Sequence, residues 1–172
     1  MCGIVGIVGE AQVAPLLVKS LMRLEYRGYD SCGVATIAES GIEVRKNVGA
    51  VSEVAERQGL IATHGCVGIA HTRWATHGGV SRENAHPHLS CDGHFAVVHN
   101  GIISNHHALR ADLQRRGHQF SSETDTEVVA HLLEETYQTG VSVEEAFVKA
   151  LHFLEGTFAI VMISRYDRHV AL

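Results

Sequence analysis

The order of elements in this chain predicts an α+β fold, with two stacked sheets and helices on the outside. Three observations carry that expectation. Strand-like segments come in groups with pairs of helices between them, so the regular strand–helix alternation of a doubly wound parallel sheet is missing. The strand segments are long and apolar, as sheets covered on both faces require. The chain has 172 residues, 45% hydrophobic and 19% charged, enough for a single domain with a sizeable core. No repeat, low-complexity tract or Pro- or Ser-rich linker divides it, so residues 1–172 read as one domain.

The elements follow in order. Gly3 to Val8 is short, apolar and β-branched, a buried strand. Val13, Leu17, Leu21 and Leu24 share one helical face, with Pro15 tolerated in the first turn, and Gly28 closes the segment. Cys32 to Ala38 and Ile42 to Val48 read as two strands joined across Glu39-Ser40-Gly41. Val51 to Gln58 fits a short helix. Val67 to Thr72 and Phe95 to His99 fit further buried strands. Asn105 is a predicted cap for a helix carrying Leu109 and Leu113, which Gly117 stops. Thr124-Asp125-Thr126-Glu127 and Ser142-Val143-Glu144-Glu145 both spell capping boxes. The first opens a helix striped with Val128, Val129, Leu132 and Leu133 as far as about Tyr137. The second opens one carrying Ala146, Leu151 and Leu154. Thr157 to Ile163 is a strand of almost pure apolar character, and His169 to Leu172 starts another.

Charge and composition exclude several functions. The net charge is −5 and no block of like charge stands out, which argues against a nucleic-acid surface. No apolar run reaches the length of a membrane span. The start lacks the basic and long apolar regions of a secretory signal, so a cytoplasmic location is expected. Cys2, Cys32, Cys66 and Cys91 are the four cysteines. Their wide, irregular spacing fits neither a disulfide framework nor a cysteine-rich zinc site. Of the 13 histidines, His64, His94, His118, His152 and His169 read as surface or core residues with satisfied hydrogen bonds. His86 and His88 could share a metal, but adjacent His106 and His107 open a helix and point in different directions. No metal and no cofactor is expected.

Cys2 is the most informative residue. Removal of Met1 would leave a thiol and an α-amine on one residue, with reference pKa values of about 8.5 and about 7.7–8.0. Near neutral pH the amine can take the thiol proton, so nucleophile and general base need no partner histidine. Four polar segments sit at strand ends or helix starts. Tyr26-Arg27-Gly28-Tyr29-Asp30-Ser31 follows the first helix, where an Arg27–Asp30 pair would be plain loop structure. His71-Thr72-Arg73-Trp74-Ala75-Thr76-His77-Gly78-Gly79 leaves a buried strand, a place where side chains enter clefts. Arg73 offers a planar fork for a carboxylate, and Trp74 a pocket wall. His99-Asn100-Gly101 offers an amide and a backbone N–H as an oxyanion hole, although Asn-Gly alone favours a hairpin turn. Asp125, as the first residue of a helix, would stay ionised and could hold an ammonium. Together these groups suit a free α-amino acid with a side-chain carbonyl, and glutamine is the natural candidate.

Cys2-Gly3-Ile4-Val5-Gly6, the Tyr26 and His71 segments, Asn84-Ala85-His86-Pro87-His88, His99-Asn100-Gly101-Ile102 and Ser122-Glu123-Thr124-Asp125-Thr126-Glu127 occur in that order. The set resembles the class II glutamine amidotransferases. In its Tyr-Arg-Gly-Tyr-Asp-Ser and Arg-Trp-Ala-Thr-His-Gly strings it resembles the glutaminase domains of the glutamine–fructose-6-phosphate aminotransferase family. The resemblance implies a four-layer αββα sandwich of the N-terminal-nucleophile hydrolase type, truncated at its C-terminal end and without the sugar isomerase domains. It implies hydrolysis of glutamine to glutamate and ammonia, and channelling of that ammonia to fructose 6-phosphate in a full-length homodimer. Cys2 would be the nucleophile, with Asn100 and Gly101 the oxyanion hole. Arg73 would clamp the α-carboxylate beside Thr76 and His77, Asp125 would hold the α-amino group, and Trp74 would sit in a closing loop. Arg27 and Gly28 would form a loop beside the nucleophile. His86 gets no role. Cys32, where the family has a small residue, reads as packing. Alternatives are a glutaminase domain serving phosphoribosyl pyrophosphate and a non-catalytic glutamine-binding module.

Overall fold

The computed structural model describes residues 2–75, 78–137 and 140–171, with the backbone alone at 168–171. The first half builds one sheet and its helical cover. Strand β1 (Gly3–Val8) leads to helix α1 (Ala14–Leu24), hairpin β2 (Ser31–Ala38) and β3 (Gly41–Val48), helix α2 (Val51–Gln58) and β4 (Val67–Arg73). The sheet order is β1-β4-β2-β3, antiparallel throughout. The second half repeats the plan. Short β5 (His88–Leu89), long β6 (Phe95–Ile103), β7 (Gly156–Ser164) and β8 (Asp167–Ala171) form a sheet in that order, again antiparallel. Between β6 and β7 run α3 (His106–Arg115), α4 (Glu127–Thr136) and α5 (Val143–Leu151).

Period-2 alternation along each strand assigns residues to three cores. Cys32 and Val34 of β2 join Leu17, Leu21, Val51 and Val54 beneath the first helices. Ala35 of β2 and Val67 and Ile69 of β4 turn the other way, meeting Ala96 and Val98 of β6 and Val161 and Ile163 of β7 between the sheets. Phe95, Val97, Ile160 and Met162 face the last three helices, against Leu113, Val129, Leu133 and Phe147. Helix, sheet, sheet and helix therefore stack as four layers, as the sequence predicted. Buried Cys32, its thiol pushed up to about 12 by burial and then by Glu25, is packing material.

Four local expectations change. Strand β6 does not stop at His99: Asn100 and Gly101 lie inside it, opposite Ala159 and Phe158, so this Asn-Gly is no hairpin turn. Asn105 does stand at the start of α3, but its amide donates to the Phe153 carbonyl at 2.8 Å and accepts the Glu155 N–H at 3.1 Å, stapling the helix start to the entry of β7. The Thr124–Glu127 capping box does not form. Helix α4 begins at Glu127, so Asp125 precedes it, and the Glu127 carboxylate instead accepts the Ser121 and Ser122 N–H groups at 2.8 Å each. His106 and His107, expected to diverge, bring their rings to 4.0 Å. The Ser142 box is present in full: Glu145 N–H donates to the Ser142 hydroxyl and Ser142 N–H to the Glu145 carboxylate, both at 3.1 Å.

Candidate active site

The pairing of β1 with β4 places Gly3 opposite Thr72, so Cys2, one residue earlier, sits beside the exit of β4. There the Trp74 N–H donates to Cys2 Sγ at 3.2 Å, and the thiol donates to the Trp74 carbonyl at 3.5 Å. The Cys2 carbonyl accepts from Arg27 Nε at 3.0 Å and from Asn100 Nδ2 at 3.1 Å. One bond comes from the loop after α1 and the other from the opposite sheet, so both sheets hold the start of the chain in place.

The loop carrying Arg27 also grips the strand exit. Thr72 donates its hydroxyl proton to the Gly28 carbonyl. A Cβ on Gly28 would come within 2.6 Å of the Arg73 carbonyl carbon, so only glycine lets the two backbones approach. Asp30 does not pair with Arg27. Its N–H donates to the Arg73 carbonyl at 3.2 Å, and its carboxylate accepts from the Ala75 N–H and, at 2.9 Å, from the Ser31 hydroxyl.

A cavity of about 630 Å³ opens over Cys2, within the range that small-molecule sites occupy. Cys2, Arg27, Arg73, Trp74, Asn100, Gly101 and Asp125 all line it. Arg73 is buried at 4% exposure, and its guanidinium donates to the Gly79 carbonyl at 3.1 Å and the Gly78 carbonyl at 3.4 Å. Asp125, 5% exposed, accepts the Ile103 N–H at 2.9 Å. That bond ties it to the end of β6 and not to a helix dipole. Trp74 is half exposed at the rim, with Tyr29 edge-on at 5.4 Å. Thr76 and His77 lie outside the described residues.

Two groups of supporting residues had no role in the sequence reading. Asn84 and Glu123 clamp the loops of Arg73 and Asp125 together. Asn84 Nδ2 donates to the Gly79 carbonyl at 3.0 Å and to Glu123 at 3.2 Å, while Glu123 N–H donates to Asn84 Oδ1 at 2.8 Å. The second group is a stack of buried histidines. His71 follows Ile69 on the inter-sheet face of β4, and Asn100 follows Val98 on the facing side of β6, so the two meet. His71 Nε2 lies 3.0 Å from Asn100 Oδ1 and 3.2 Å from the His99 carbonyl, both acceptors, which assigns the ring proton to Nε2. That bond orients the Asn100 amide with Nδ2 towards Cys2. His86 stacks on His71 at 4.1 Å and accepts the His99 N–H, with His88 edge-on at 4.7 Å. Burial lowers the His71 pKa to about 3 and holds His86 and His88 well below the usual imidazole range. The stack is therefore neutral and adds no charge beneath the site. The signal in the sequence was a histidine at the inner end of an apolar strand, which by itself also fits ordinary core packing.

Residues 31–172 match the glutamine amidotransferase domain family. The chain is 47% identical over 99% of its length to the glutamine–fructose-6-phosphate aminotransferase (isomerizing) of Sulfurisphaera tokodaii, and 53% identical over 95% to that of Pyrobaculum aerophilum. It spans 29% and 28% of those relatives. Among solved structures, the glutamine phosphoribosylpyrophosphate amidotransferase of B. subtilis superimposes with a TM-score of 0.81 at 26% identity, covering 96% of this chain and 35% of that one. A structure described as the allosteric regulatory enzyme of purine biosynthesis gives 0.80 at 28%, covering 96% and 36%.

Proposed function

The chain belongs to the glutamine amidotransferase family, and from that premise we propose that residues 1–172 form a glutaminase domain whose nucleophile is Cys2 after loss of Met1. The observation that carries the reading is the shared cavity: Cys2 Sγ, the Asn100 amide and Gly101 border one space with Arg73 and Asp125 on its walls. The α-amine takes the thiol proton as sulfur attacks the glutamine side-chain carbonyl carbon. Asn100 Nδ2, now on the Cys2 carbonyl, and the Gly101 N–H are the donors for the oxyanion. The C–N bond breaks, the ammonium proton goes to the departing amine, and ammonia leaves a thioester. Water, deprotonated by the same α-amine, then releases glutamate. Arg73 with Thr76 and His77 holds the substrate carboxylate, Asp125 its ammonium, and Trp74 closes over it. Arg27 and Gly28 keep the nucleophile's backbone in register. No metal or cofactor takes part in these steps.

In the whole protein the ammonia passes to fructose 6-phosphate, giving glucosamine 6-phosphate, in a cytoplasmic homodimer. Support for this acceptor comes from the 47% and 53% identities to enzymes named for it, against 26% to the phosphoribosylpyrophosphate enzyme. No helix among the described residues is long and apolar enough to cross a membrane.

Intact mass, glutamine hydrolysis and glutamine binding test the site together. Cys2→Ala is expected to abolish hydrolysis while glutamine still binds within a few-fold of the original Kd. Full turnover by Cys2→Ala, or by protein retaining Met1, overturns the proposal. Offering each sugar phosphate acceptor to the whole enzyme tests the second half: product from phosphoribosyl pyrophosphate and none from fructose 6-phosphate would sink it.

A further inference from the structure

Away from the cavity, four side chains from three separate segments converge. Cys91 lies in the turn between β5 and β6, His118 follows α3, and His131 and Glu134 are one turn apart on α4. We propose that these four residues form a structural Zn²⁺ site. Each presents a ligand atom, and all four atoms lie within 4.8 Å of one another. A tetrahedral zinc with Zn–S of about 2.3 Å and Zn–N or Zn–O of about 2.0–2.2 Å sets edges of about 3.6 Å for S···N and about 3.4 Å for N···O. Cys91 Sγ lies 3.5 Å from His131 Nδ1 and 3.7 Å from His118 Nδ1. Glu134 Oε2 lies 3.6 Å from His118 Nδ1 and 3.9 Å from His131 Nδ1. These four edges lie within about 0.5 Å of the tetrahedral values, and the remaining two are within 4.8 Å.

The outer contacts are those a metal site needs. Both rings turn Nδ1 inward and Nε2 towards a carboxylate: His118 Nε2 is 2.8 Å from Glu135 Oε1, and His131 Nε2 is 3.8 Å from Glu127 Oε1. The Glu135 bond is the acid contact on the far nitrogen that orients a ligating histidine, whereas Glu127 at 3.8 Å makes no hydrogen bond to His131. His131 is buried, and its Nε2 makes no hydrogen bond among the described residues. The Gln119 N–H donates to Cys91 Sγ at 3.3 Å, which suits a thiolate. One thiolate, one carboxylate and two neutral imidazoles balance the charge of Zn²⁺.

The metal would tie the β5–β6 turn and the end of α3 to α4, fixing the 118–127 segment that carries Asp125. The site itself does not depend on the glutaminase reading. Untagged protein is stripped with a chelator, dialysed against Zn²⁺ and analysed for bound metal, and a second portion is loaded with Co²⁺ for its electronic spectrum. The expected result is one equivalent of zinc per chain. The cobalt form should show intense tetrahedral bands and a thiolate-to-metal charge-transfer band. Cys91→Ser, at an exposed position, should lose that band, and so should His131→Gln. Cys2→Ser and Cys66→Ser should both keep it, which separates this cluster from the other accessible thiols. Glu135→Gln should bind about 10–100-fold more weakly. Less than a tenth of an equivalent in the unaltered protein, a pale octahedral cobalt spectrum, or a band that survives Cys91→Ser and vanishes in Cys2→Ser would each overturn the proposal.

Discussion

His71 illustrates how a residue that never enters the cavity can set its chemistry. Its Nε2–H holds Asn100 Oδ1 at 3.0 Å, so the amide cannot flip and its Nδ2 stays on the Cys2 side. Losing one oxyanion donor typically costs about 10²–10³ in rate, and a mis-set donor costs part of that. His71→Ala is therefore expected to lower kcat for glutamine hydrolysis by about 10–100-fold with little change in KM. Steady-state kinetics checks this. His71→Gln, which can still donate, should recover part of the loss. A rise in KM with kcat intact would assign His71 to binding instead. Gly101 is constrained more severely. Its φ is +128°, a region L side chains rarely adopt, and a Cβ would come within 2.0 Å of the Thr157 carbonyl oxygen. Gly101→Ala should destabilise the protein by more than about 1 kcal/mol, read as a lower midpoint in urea unfolding, because the β6–β7 ladder must shift.

At the scale of elements, the two look-alike capping boxes had different fates. Ser142 and Glu145 close theirs reciprocally. Ser142→Ala is expected to cost about 1 kcal/mol, measurable as a fall in Tm, with glutamine hydrolysis unaffected because neither Ser142 nor Glu145 lines the space around Cys2. Glu127 is in a different position. Burial would raise its pKa, but His131, Ser122 and Ser121 around the carboxylate hold it well below the usual range. It spends its oxygens on the 121–122 backbone, so nothing remains for a cap at Thr124. The four-residue pattern was the same in both places. What differed was a neighbouring loop competing for the acid, and a local motif does not encode that. Strand β6 shows the same limit. Asn-Gly reads as a turn, yet pairing with β7 carries the strand two residues past it, to Ile103.

Across the whole molecule, the neutral histidine stack makes folding sensitive to acid. The folded pKa of His71 is about 3 against 6.5 for an exposed imidazole, and His86 and His88 are lowered in the same sense. Below about pH 6.5 the unfolded chain binds protons that the folded one refuses, so stability falls as pH drops and is fully retained above that value. Each of the three contributes up to about 1.4 kcal/mol per pH unit. Glu127, lowered as well, adds to the loss below about pH 4.5. Unfolding free energy from urea titrations should therefore fall steeply between pH 6.5 and 5. A flat profile over that window would mean the stack is hydrated or rearranged.

The apolar strand segments and the helical stripes of Leu17–Leu21 and Leu132–Leu133 were enough to define most of the elements, because burial on a known period is a local property of the chain, whereas the four-layer stacking was fitted to that pattern and specified by the family resemblance. The same reading picked out Cys2, Arg73, Asn100 and Asp125, since their chemistry is unusual for loop and strand-end positions. Which strands lie side by side was decided only in three dimensions. The β1–β4 register brings Cys2 to Trp74, the facing of β4 on β6 brings His71 to Asn100, and the seating of α4 brings Cys91 to His118, His131 and Glu134. Those partners are far apart along the chain, and no periodicity records a contact whose free energy is gained only when the sheets and helices close on one another.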